Sequence, residues 1–379
     1  MGTLYVTTGG NDGSGDGSQG APFATVNRAI TAANSNNASD EIIVADGSYT
    51  ETSVVDIIVN NVTIRSASGN PSNCSITQGS SATFEVGRGT TGTTFSGLSI
   101  TNTSGGTTHA CIYGAGTKVG NSSVYGIYTV SDCMLGTASA CLYYAGPGSI
   151  VSRCMFFTDS NGSGVYGIRN AAGTASSSIK VEASLFQNFD KGAMSTQGYI
   201  TLLNCTGVLD SSTQNTSYIF YLGGDGNIIH NTIAYGGDVS VDYGIRTSTD
   251  SSNTVKNCIS FGTTRLPYHG TGSPTVTANL LGQSDVDTNG NNVFLDAAGG
   301  NYAPNPVGIA YHAGNTEVSV TSNLDLYRNA YASPPSIGSY EAASVSGWTA
   351  GSYVMTVSNP SLGSVVGVAK SNISKVSGT

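Results

Sequence analysis

One short pattern recurs along this chain as Asp132-Cys133-Met134-Leu135, Arg153-Cys154-Met155-Phe156, Asn204-Cys205-Thr206-Gly207 and Asn257-Cys258-Ile259-Ser260. Each copy places a polar residue before a cysteine and follows the cysteine with an apolar or small run. Two further copies lack the cysteine and are aligned as Glu182-Ala183 and His230-Asn231. With them, successive copies are roughly 20 to 30 residues apart, which is typical of a solenoid with coils of variable length.

A second column of apolar residues runs in phase with the first. It consists of the central residues of strand-like triplets, namely Leu142, Ile168, Met194, Phe220 and Ile245. Two columns of similar period indicate at least two short strands in each coil, and stacked coils would form parallel sheets with about 4.8 Å between rungs. The pattern therefore predicts an all-β parallel β-helix solenoid of about ten coils.

The composition agrees with a turn-rich all-β protein. Glycine occurs 51 times among 379 residues, and charged residues make up only 10% of the chain. Serine, threonine and asparagine fill the segments between apolar runs, as turns require, whereas amphipathic helices would need more leucine, glutamate and lysine.

The seven cysteines are an odd number without metal-type spacing, so neither a disulfide framework nor a metal cluster is expected. Cys133, Cys154, Cys205 and Cys258 share one column, and Cys74 in Asn73-Cys74-Ser75-Ile76 is expected to join it. A free cysteine behaves as a small hydrophobe, which suits an interior ladder assembled in a reducing compartment.

Charge and hydropathy exclude two classes of partner. The formal net charge is −9 with only 14 Lys and Arg, so binding to nucleic acid or to an anionic membrane is not expected. No apolar stretch approaches the length of a membrane span. The first residues, Met1 to Val6, run directly into strand-like sequence without the features of a secretion signal, which suggests a cytosolic protein, a virion protein released by lysis, or a chain whose leader was removed.

The first 65 residues follow a different pattern and predict a cap with the first coils. Phe23, Val26, Ile30 and Ala33 have helical spacing between Pro22 and Asn34, with the proline at the helix start. Because the open end of a solenoid exposes core and strand edges, a capping helix is expected there. Residues 66–342 are assigned to the β-helix and residues 343–379 to a short separate C-terminal segment.

Both ends of the solenoid resemble a known superfamily. The N-terminal runs are Leu4-Tyr5-Val6, Gly9-Gly10-Asn11-Asp12-Gly13, Pro22-Phe23-Ala24-Thr25-Val26, Arg28-Ala29-Ile30 and Ile43-Val44-Ala45-Asp46-Gly47-Ser48-Tyr49-Thr50-Glu51. The C-terminal runs are Val293-Phe294-Leu295-Asp296, Asn301-Tyr302-Ala303-Pro304 and Ser336-Ile337-Gly338-Ser339-Tyr340-Glu341. Together they resemble right-handed parallel β-helix proteins of the pectate-lyase-like superfamily. The resemblance implies a fold and no single activity, because the superfamily holds lyases, hydrolases, epimerases, phage tailspikes and inert scaffolds.

The C-terminal segment resembles short terminal repeats of phage structural proteins. It contains Val365-Val366-Gly367-Val368-Ala369-Lys370 and Ile373-Ser374-Lys375-Val376-Ser377-Gly378. The alternation makes Val366, Val368, Ile373 and Val376 candidates for a strand that docks on a partner. A flexible tail is the alternative.

A catalytic site would need groups on an outward face of the stacked strands. The polar residues of the first column should point outward, because neighbours in a strand alternate faces. Asp132 and Glu182 would then lie two rungs apart, at roughly 9 to 10 Å, near the upper limit for an inverting pair of carboxylates. Arg153 lies between them, however, and a surface ladder of charges explains the three residues without catalysis. The residue sets expected of a polygalacturonase or a pectate lyase are not found in this sequence.

One segment copies the spacing of a calcium loop. Asp285, Asp287 and Asn289 alternate before Gly290, and Asp296 stands at the twelfth position. No cofactor is expected to be required. This loop either binds a structural Ca²⁺ or is a turn between coils that binds no metal.

Tyrosines lean toward the second column, where their rings could stack on sugars, cover coil edges or fill a subunit interface. They include Tyr125, Tyr128, Tyr143, Tyr144, Tyr166, Tyr221, Tyr243 and Tyr268.

These observations favour a non-enzymatic structural or attachment protein of a bacteriophage virion, such as a capsid decoration, a fibre or a tail-spike-like protein. Homo-oligomerisation as a trimer or symmetric array is expected, with other virion proteins bound through the C-terminal segment and a host surface glycan as a further partner. The alternatives are a polysaccharide lyase or glycoside hydrolase of the phage depolymerase type, and a bacterial surface adhesin without its leader, located outside the cell or on its surface.

Overall fold

A computed structural model describes the protein over residues 2–37, 39–105, 109–119, 122–137, 139–158, 165–170, 179–189, 191–195, 199–209, 218–224, 226–236, 243–247, 252–262, 266–270, 275–277, 292–297, 301–306, 308–311, 313–314, 316, 320–333 and 335–341.

Three long parallel sheets dominate the described chain, and we number them by the order in which each coil visits them. Sheet 1 has eleven strands: Thr3–Val6, Glu41–Val44, Thr63–Ser66, Thr93–Ser96, Tyr128–Ser131, Ser149–Ser152, Ile179–Glu182, Ile200–Leu203, Ile228–His230, Thr254–Lys256 and Thr275–Thr277. Sheet 2 has nine: Gly47–Glu51, Cys74–Gln78, Ser99–Asn102, Met134–Thr137, Met155–Phe157, Leu185–Gln187, Thr206–Leu209, Ile233–Gly236 and Ile259–Phe261. Sheet 3 has nine: Val55–Ile57, Phe84–Val86, Ala110–Gly114, Ala140–Tyr143, Tyr166–Asn170, Lys191–Ser195, Tyr218–Leu222, Tyr243–Thr247 and Leu266–Gly270.

The fold is a right-handed parallel β-helix, which confirms the fold class predicted from the two columns. Nine coils each contribute one strand to each sheet, and sheet 1 has one further strand at each end, Thr3–Val6 and Thr275–Thr277. Every strand of a sheet pairs in parallel with its counterpart in the next coil. Two antiparallel pairs lie outside this plan: Gly116–Val119 pairs with Ser122–Tyr125, and Phe294–Asp296 pairs with Asn301–Pro304.

The turn from sheet 1 to sheet 2 explains the repeated cysteine. Its first residue is left-handed, with φ of 55° at Asp132, 51° at Arg153 and 50° at Asn204, a conformation that, among residues other than glycine, Asn and Asp tolerate best. The next residue is a cysteine whose Sγ donates to the carbonyl two residues earlier. The Sγ to O distance is 3.3 Å from Cys154 to Ser152 and 3.4 Å from Cys205 to Leu203.

The cysteine column is confirmed, but two of its members were placed one residue too early. Ser184 and Thr232 occupy the cysteine position of their coils, since their hydroxyls donate over 2.9 Å to the carbonyls of Glu182 and His230. Ala183 and Asn231 are instead the left-handed residues, with φ of 48° and 49°. A hydroxyl therefore replaces the thiol at these turns.

The second column contains a similar error. Ile168 pairs with Ala193, and Ala193 pairs with Phe220, so Ala193 rather than Met194 belongs to this column. Leu142, Ile168, Phe220 and Ile245 are in register as expected.

The core is built from files of identical or similar side chains. One aliphatic file in sheet 1 consists of Val130, Val151, Val181, Leu202, Ile229 and Val255, each paired with the next. All six side chains are buried. The rings of Phe156 and Phe186 stack at 4.6 Å between centroids in adjacent coils. Because each coil places a given position in nearly the same environment as the coil before it, the positions of one file accept the same type of residue.

The expected N-terminal cap is present, although its helix begins later than predicted. The helix spans Val26–Asn36, with Thr25 as the N-cap residue, so Pro22 precedes the helix instead of starting it. Val26, Ala29, Ile30 and Ala33 are buried against the first coils. The buried carboxylate of Glu51 accepts from the backbone N–H of Val26 at 2.8 Å, which satisfies a free donor at the helix N-terminus.

The chain after the described coils turns back along the outside of the solenoid. We call residues 292–341 the fold-back segment. Its buried residues Phe294, Tyr302, Ile337 and Tyr340 pack with outer side chains of sheet 2, including Met155, Leu185, Ile233 and Ile259. From the strand Met134–Thr137 onward, sheet 2 is therefore covered on both faces, which explains why these strands read as apolar runs. The first three strands of the sheet alternate buried with half-buried or exposed residues.

The described helix is too short and too polar for a membrane crossing, and no other helix within the described ranges qualifies. Residues 342–379 lie outside the described part of the chain.

The burial of all seven thiols gives a chemical test of the fold. All seven cysteines are free and buried, and burial raises the pKa of Cys74, Cys205 and Cys258 to about 12. Since the thiolate is the reactive form, we expect no titration of the native protein by an aromatic disulfide reagent at pH 8 and titration of all seven thiols in denaturant. Rapid native reaction of several thiols would contradict the interior placement.

Candidate functional site

Asp132, the first candidate for catalysis, lies at the turn from sheet 1 to sheet 2 and is held by two arginines. Arg153 donates to both carboxylate oxygens over 2.8 Å and 2.9 Å, and Arg328 of the fold-back segment donates over 3.0 Å and pairs at 2.9 Å. Burial alone would raise the pKa of Asp132, but the hydrogen bonds from the two guanidiniums outweigh it and hold the pKa below its ordinary value.

Glu182, the second candidate, is covered by the fold-back segment. Its side chain is 1% exposed. The carboxylate accepts from the backbone N–H of Thr321 at 2.8 Å and from the hydroxyl of Thr321 at 3.2 Å, and it pairs with Lys180 at 2.8 Å. Substrate could not approach this oxygen without displacing Thr321.

The two carboxylates therefore act as anchors for the fold-back segment. Arg153 also donates to Ser322 at 2.7 Å, and Lys180 donates to Thr321 at 2.7 Å. A general acid or base needs access to the reacting group and a pKa near the working pH. A carboxyl that acts as a general acid needs a raised pKa, whereas the pKa of Asp132 is lowered. The side chain of Glu182 is closed to solvent.

The calcium-loop residues Asp285, Asp287 and Asn289 lie outside the described residues, and Asp296 lies in the strand Phe294–Asp296. Among the described residues, no group of three or more His, Cys, Asp and Glu side chains is arranged to hold a metal ion. The candidate docking residues Val366, Val368, Ile373 and Val376 also lie outside the described part. Both sites stay predictions.

The outer face of sheet 3 carries the most distinctive described surface. One position of each strand is in register from coil to coil. We call this column the sheet-3 file, and it contains Asp56, Glu85, Tyr113, Tyr143, Arg169, Met194, Tyr221, Arg246 and His269.

Aromatic rings line the middle of this face. Tyr113 and Tyr143 stack with centroids 5.9 Å apart, and Tyr143 lies 4.2 Å from Tyr144. Farther along, Tyr218 stacks on Tyr243 at 5.6 Å. Such rings present a flat amphipathic surface that could bind a sugar or another protein. The tendency of tyrosines to gather at the second column is thus observed, although Tyr128 is a fully buried core residue.

Two arginines occupy equivalent positions on this face. The guanidinium of Arg169 lies 5.0 Å from the ring centre of Tyr143 and 5.1 Å from that of Tyr166. The guanidinium of Arg246 lies 4.6 Å from the ring centre of Tyr218 and donates to its hydroxyl. The Nε atoms of both arginines are buried without a hydrogen-bond partner among the described residues.

The N-terminal end of the same file is acidic. Asp56 is exposed and Glu85 is half-buried, and the two residues are directly paired in register. Burial first, and the nearby Asp56 second, raise the pKa of Glu85 above its ordinary value. The file therefore runs from carboxylates through tyrosines to arginines along the solenoid axis.

Sequence reasoning overlooked the arginines of this face. The four residues Tyr-Gly-Ile-Arg occur twice, at 166–169 and 243–246, and both copies occupy the same register of sheet 3. This repetition was the available signal.

The fold-back segment holds a buried carboxyl of its own. Asp325 is fully buried and accepts from the backbone N–H groups of Tyr327, Asn329 and Glu341 at 2.9, 2.6 and 2.9 Å. Burial raises the pKa of Asp325 to about 6 in spite of these hydrogen bonds.

Comparisons with known proteins find likeness in shape. No protein-family model and no curated protein matches the chain. Among solved structures, a rhamnogalacturonan lyase is 13% identical and has a TM-score of 0.46, with 75% of this chain and 86% of that chain covered. A pectin methylesterase from Aspergillus niger is 15% identical with a TM-score of 0.38, covering 76% and 88%. The ORF18 protein of Geobacillus virus E2 is 15% identical with a TM-score of 0.41, covering 74% and 61%. These superpositions are too loose to transfer an activity.

Replacing Asp132 tests its role as an anchor. We expect Asp132→Ala to lower the free energy of unfolding by about 3 kcal/mol, because it leaves the guanidinium of Arg153, only 12% exposed, without its carboxylate partner. The matched control is Glu41→Ala, whose partner Arg65 is 36% exposed, with an expected loss below about 1 kcal/mol. Urea unfolding of both variants makes the comparison, and equal losses would argue against the anchor.

Asp325 should make stability depend on pH. Its folded pKa of about 6 lies above the ordinary 3.8, so its contribution is complete below 3.8 and is lost as the pH rises through 6. From pH 4 to pH 7 we expect the wild type to lose roughly 2 kcal/mol of unfolding free energy relative to Asp325→Asn, which cannot ionise there. Urea unfolding at both pH values measures this difference. Parallel pH profiles would show that Asp325 ionises normally.

Proposed function

We propose that this protein is a non-enzymatic structural or attachment component of a bacteriophage virion. One observation carries the non-enzymatic part: Asp132 and Glu182, the two carboxylates that the sequence offers for catalysis, are engaged by Arg153, Arg328 and Thr321. Groups that hold a covering segment in place are poor candidates for proton transfer to a substrate.

The architecture supports a role in display. Interlocked files of core side chains and a fold-back segment that buries the outer face of sheet 2 make a stiff rod. A stiff rod holds a binding surface at a fixed distance from its base. Sheet 3, with its tyrosines and arginines, is the described surface best suited to contact a partner.

The virion assignment rests on the sequence. The segment 343–379 resembles terminal repeats of phage structural proteins, and Val366, Val368, Ile373 and Val376 are its proposed docking residues. We propose that this segment binds other virion proteins and that the particle displays several copies of the chain, as a trimer or a symmetric array. A host surface glycan is a further proposed ligand, and a structural Ca²⁺ at Asp285, Asp287, Asn289 and Asp296 is proposed without being required.

The main alternative is a polysaccharide lyase or glycoside hydrolase, because a binding face rich in tyrosine also suits a sugar chain. A surface adhesin is the other alternative, and it would share the display role.

An activity assay tests the non-enzymatic proposal. We expect no release of reducing ends or unsaturated uronate from capsular, pectic or neutral polysaccharides above the level of heat-denatured protein. Should wild-type protein cleave a glycan, and should Asp132→Asn or Glu182→Gln abolish the cleavage without unfolding, the proposal would be wrong.

A separate experiment tests the virion assignment. Mass spectrometry of purified virions from the source culture should detect the chain, and a chain lacking residues 344–379 should fold but fail to be incorporated. Absence of the full-length chain from virions, or incorporation of the truncated chain, would contradict the assignment or the docking role respectively.

A further inference from the structure

The sheet-3 file carries opposite charges at its two ends. Asp56 and Glu85 stand at the first two rungs, and Arg246 stands seven rungs from Asp56, at about 34 Å. Tyr113 and Tyr143 occupy the rungs between the acidic end and Arg169. The order of charge is therefore fixed by backbone pairing and not by flexible loops.

Neither end is neutralised within the described part of the chain. The guanidiniums of Arg169 and Arg246 rest on tyrosine rings, and no described carboxylate forms an ion pair with either. Both buried Nε atoms have hydrogen-bonding capacity left over. At the other end, no described basic side chain forms an ion pair with Asp56 or Glu85, although burial already disfavours the charged form of Glu85.

We propose that sheet 3 is the contact face of a two-fold pair of this chain, in which the acidic end of one copy meets the arginine end of the other. A two-fold axis parallel to the strands reverses the order of the rungs. With the axis between the rungs of Tyr143 and Arg169, the eight rungs from Asp56 to Arg246 overlap. Asp56 of one copy then faces Arg246 of the other, and Tyr113 faces Met194.

The remaining positions agree with this overlap. Glu85 faces Tyr221 of the second copy, where a carboxylate can accept from the phenol, and Tyr143 faces Arg169, where a cation–π contact can form between copies. An isologous interface of this kind repeats each contact twice. The ion pair between Asp56 and Arg246 therefore forms twice in the interface.

The size and composition of the face suit such a pair. Eight overlapping rungs at about 4.8 Å and strands about 15 Å long give roughly 600 Å², close to the roughly 800 Å² that each partner contributes to a standard interface. Tyrosine and arginine are the residues enriched at interface cores and among the residues that dominate binding energy.

Charge complementarity favours a second copy over other occupants. An acidic chain would suit Arg169 and Arg246 but would be repelled by Asp56 and Glu85. A neutral glycan would leave both ends unpaired. A second copy brings Asp56 opposite Arg246 at both ends of the overlap and gives Glu85 and Arg169 a tyrosine partner each. This inference holds whether or not the protein belongs to a virion.

Charge reversal tests the pairing. The acid-end variant is Asp56→Arg with Glu85→Arg, and the arginine-end variant is Arg169→Glu with Arg246→Glu. By sedimentation velocity from about 1 to 100 µM, we expect the wild type to dimerise and each variant alone to have a dissociation constant raised at least about 100-fold, because every reversal acts twice. An equimolar mixture of the two variants should restore a dimer containing one of each.

A matched control reverses a pair on another face. Glu41→Arg with Arg65→Glu exchanges the residues of an ion pair on sheet 1 and should leave dimerisation unchanged. Circular dichroism checks folding of every variant, and Arg246→Glu alone replaces the arginine-end variant if the latter does not fold.

Three results would overturn the proposal. The wild type could stay monomeric up to about 100 µM, a concentration at which even a weak pair would associate. Alternatively, both charge-reversal variants could still dimerise, or the equimolar mixture of the two variants could fail to associate. A monomeric wild type that binds a sulfated glycan through Arg169 and Arg246 would assign the face to a glycan instead. None of these results depends on the virion or the cleavage experiments, so the proposals fail separately.

Discussion

The backbone pairing of each strand with its counterpart in the next coil is the constraint on which the structure depends. Parallel pairing places every side chain directly over the residue in the same position of the neighbouring coil. The interior must then be filled by files of compatible side chains, such as the aliphatic file through Val181 and Leu202. The same constraint orders the outer surface, so that charge and aromatic character accumulate in rows instead of scattered patches.

The tight turn from sheet 1 to sheet 2 keeps successive coils in this alignment. A thiol or hydroxyl donates to the carbonyl two residues earlier, which closes the turn around a left-handed residue. At these turns, the side chains of Asp132 and Glu182 hold the fold-back segment, and that segment buries the apolar outer face of sheet 2 from Met134 onward. The features that resemble a catalytic pair in the sequence therefore serve closure, which leaves sheet 3 as the described face most suited to binding.

The sequence alone predicts the solenoid and the cysteine file, because a short local pattern recurs from coil to coil. It also predicts the capping helix, because the helical spacing of apolar residues is local. It misplaces Ala183 and Asn231 by one residue because Ser184 and Thr232 make the same hydrogen bond as a cysteine without sharing its identity. It does not predict the cover over Asp132, since Arg328 is 196 residues away. The continuous apolar runs of sheet 2 were the available sign of burial on both faces. The arginines of sheet 3 become significant only when register places them beside tyrosines.

The positions of the cysteine sulfurs in a crystal test the stacking most directly, because anomalous scattering locates each sulfur without reference to a model. Cys74, Cys133, Cys154, Cys205 and Cys258 should lie in one row, with Leu98, Ser184 and Thr232 at the rungs between them. Successive sulfurs should be separated by about 10, 5, 10 and 10 Å, the distances of two, one, two and two rungs. Peaks that depart from a single row, or a spacing between Cys133 and Cys154 well above one rung, would contradict the stacked architecture and the surfaces derived from it.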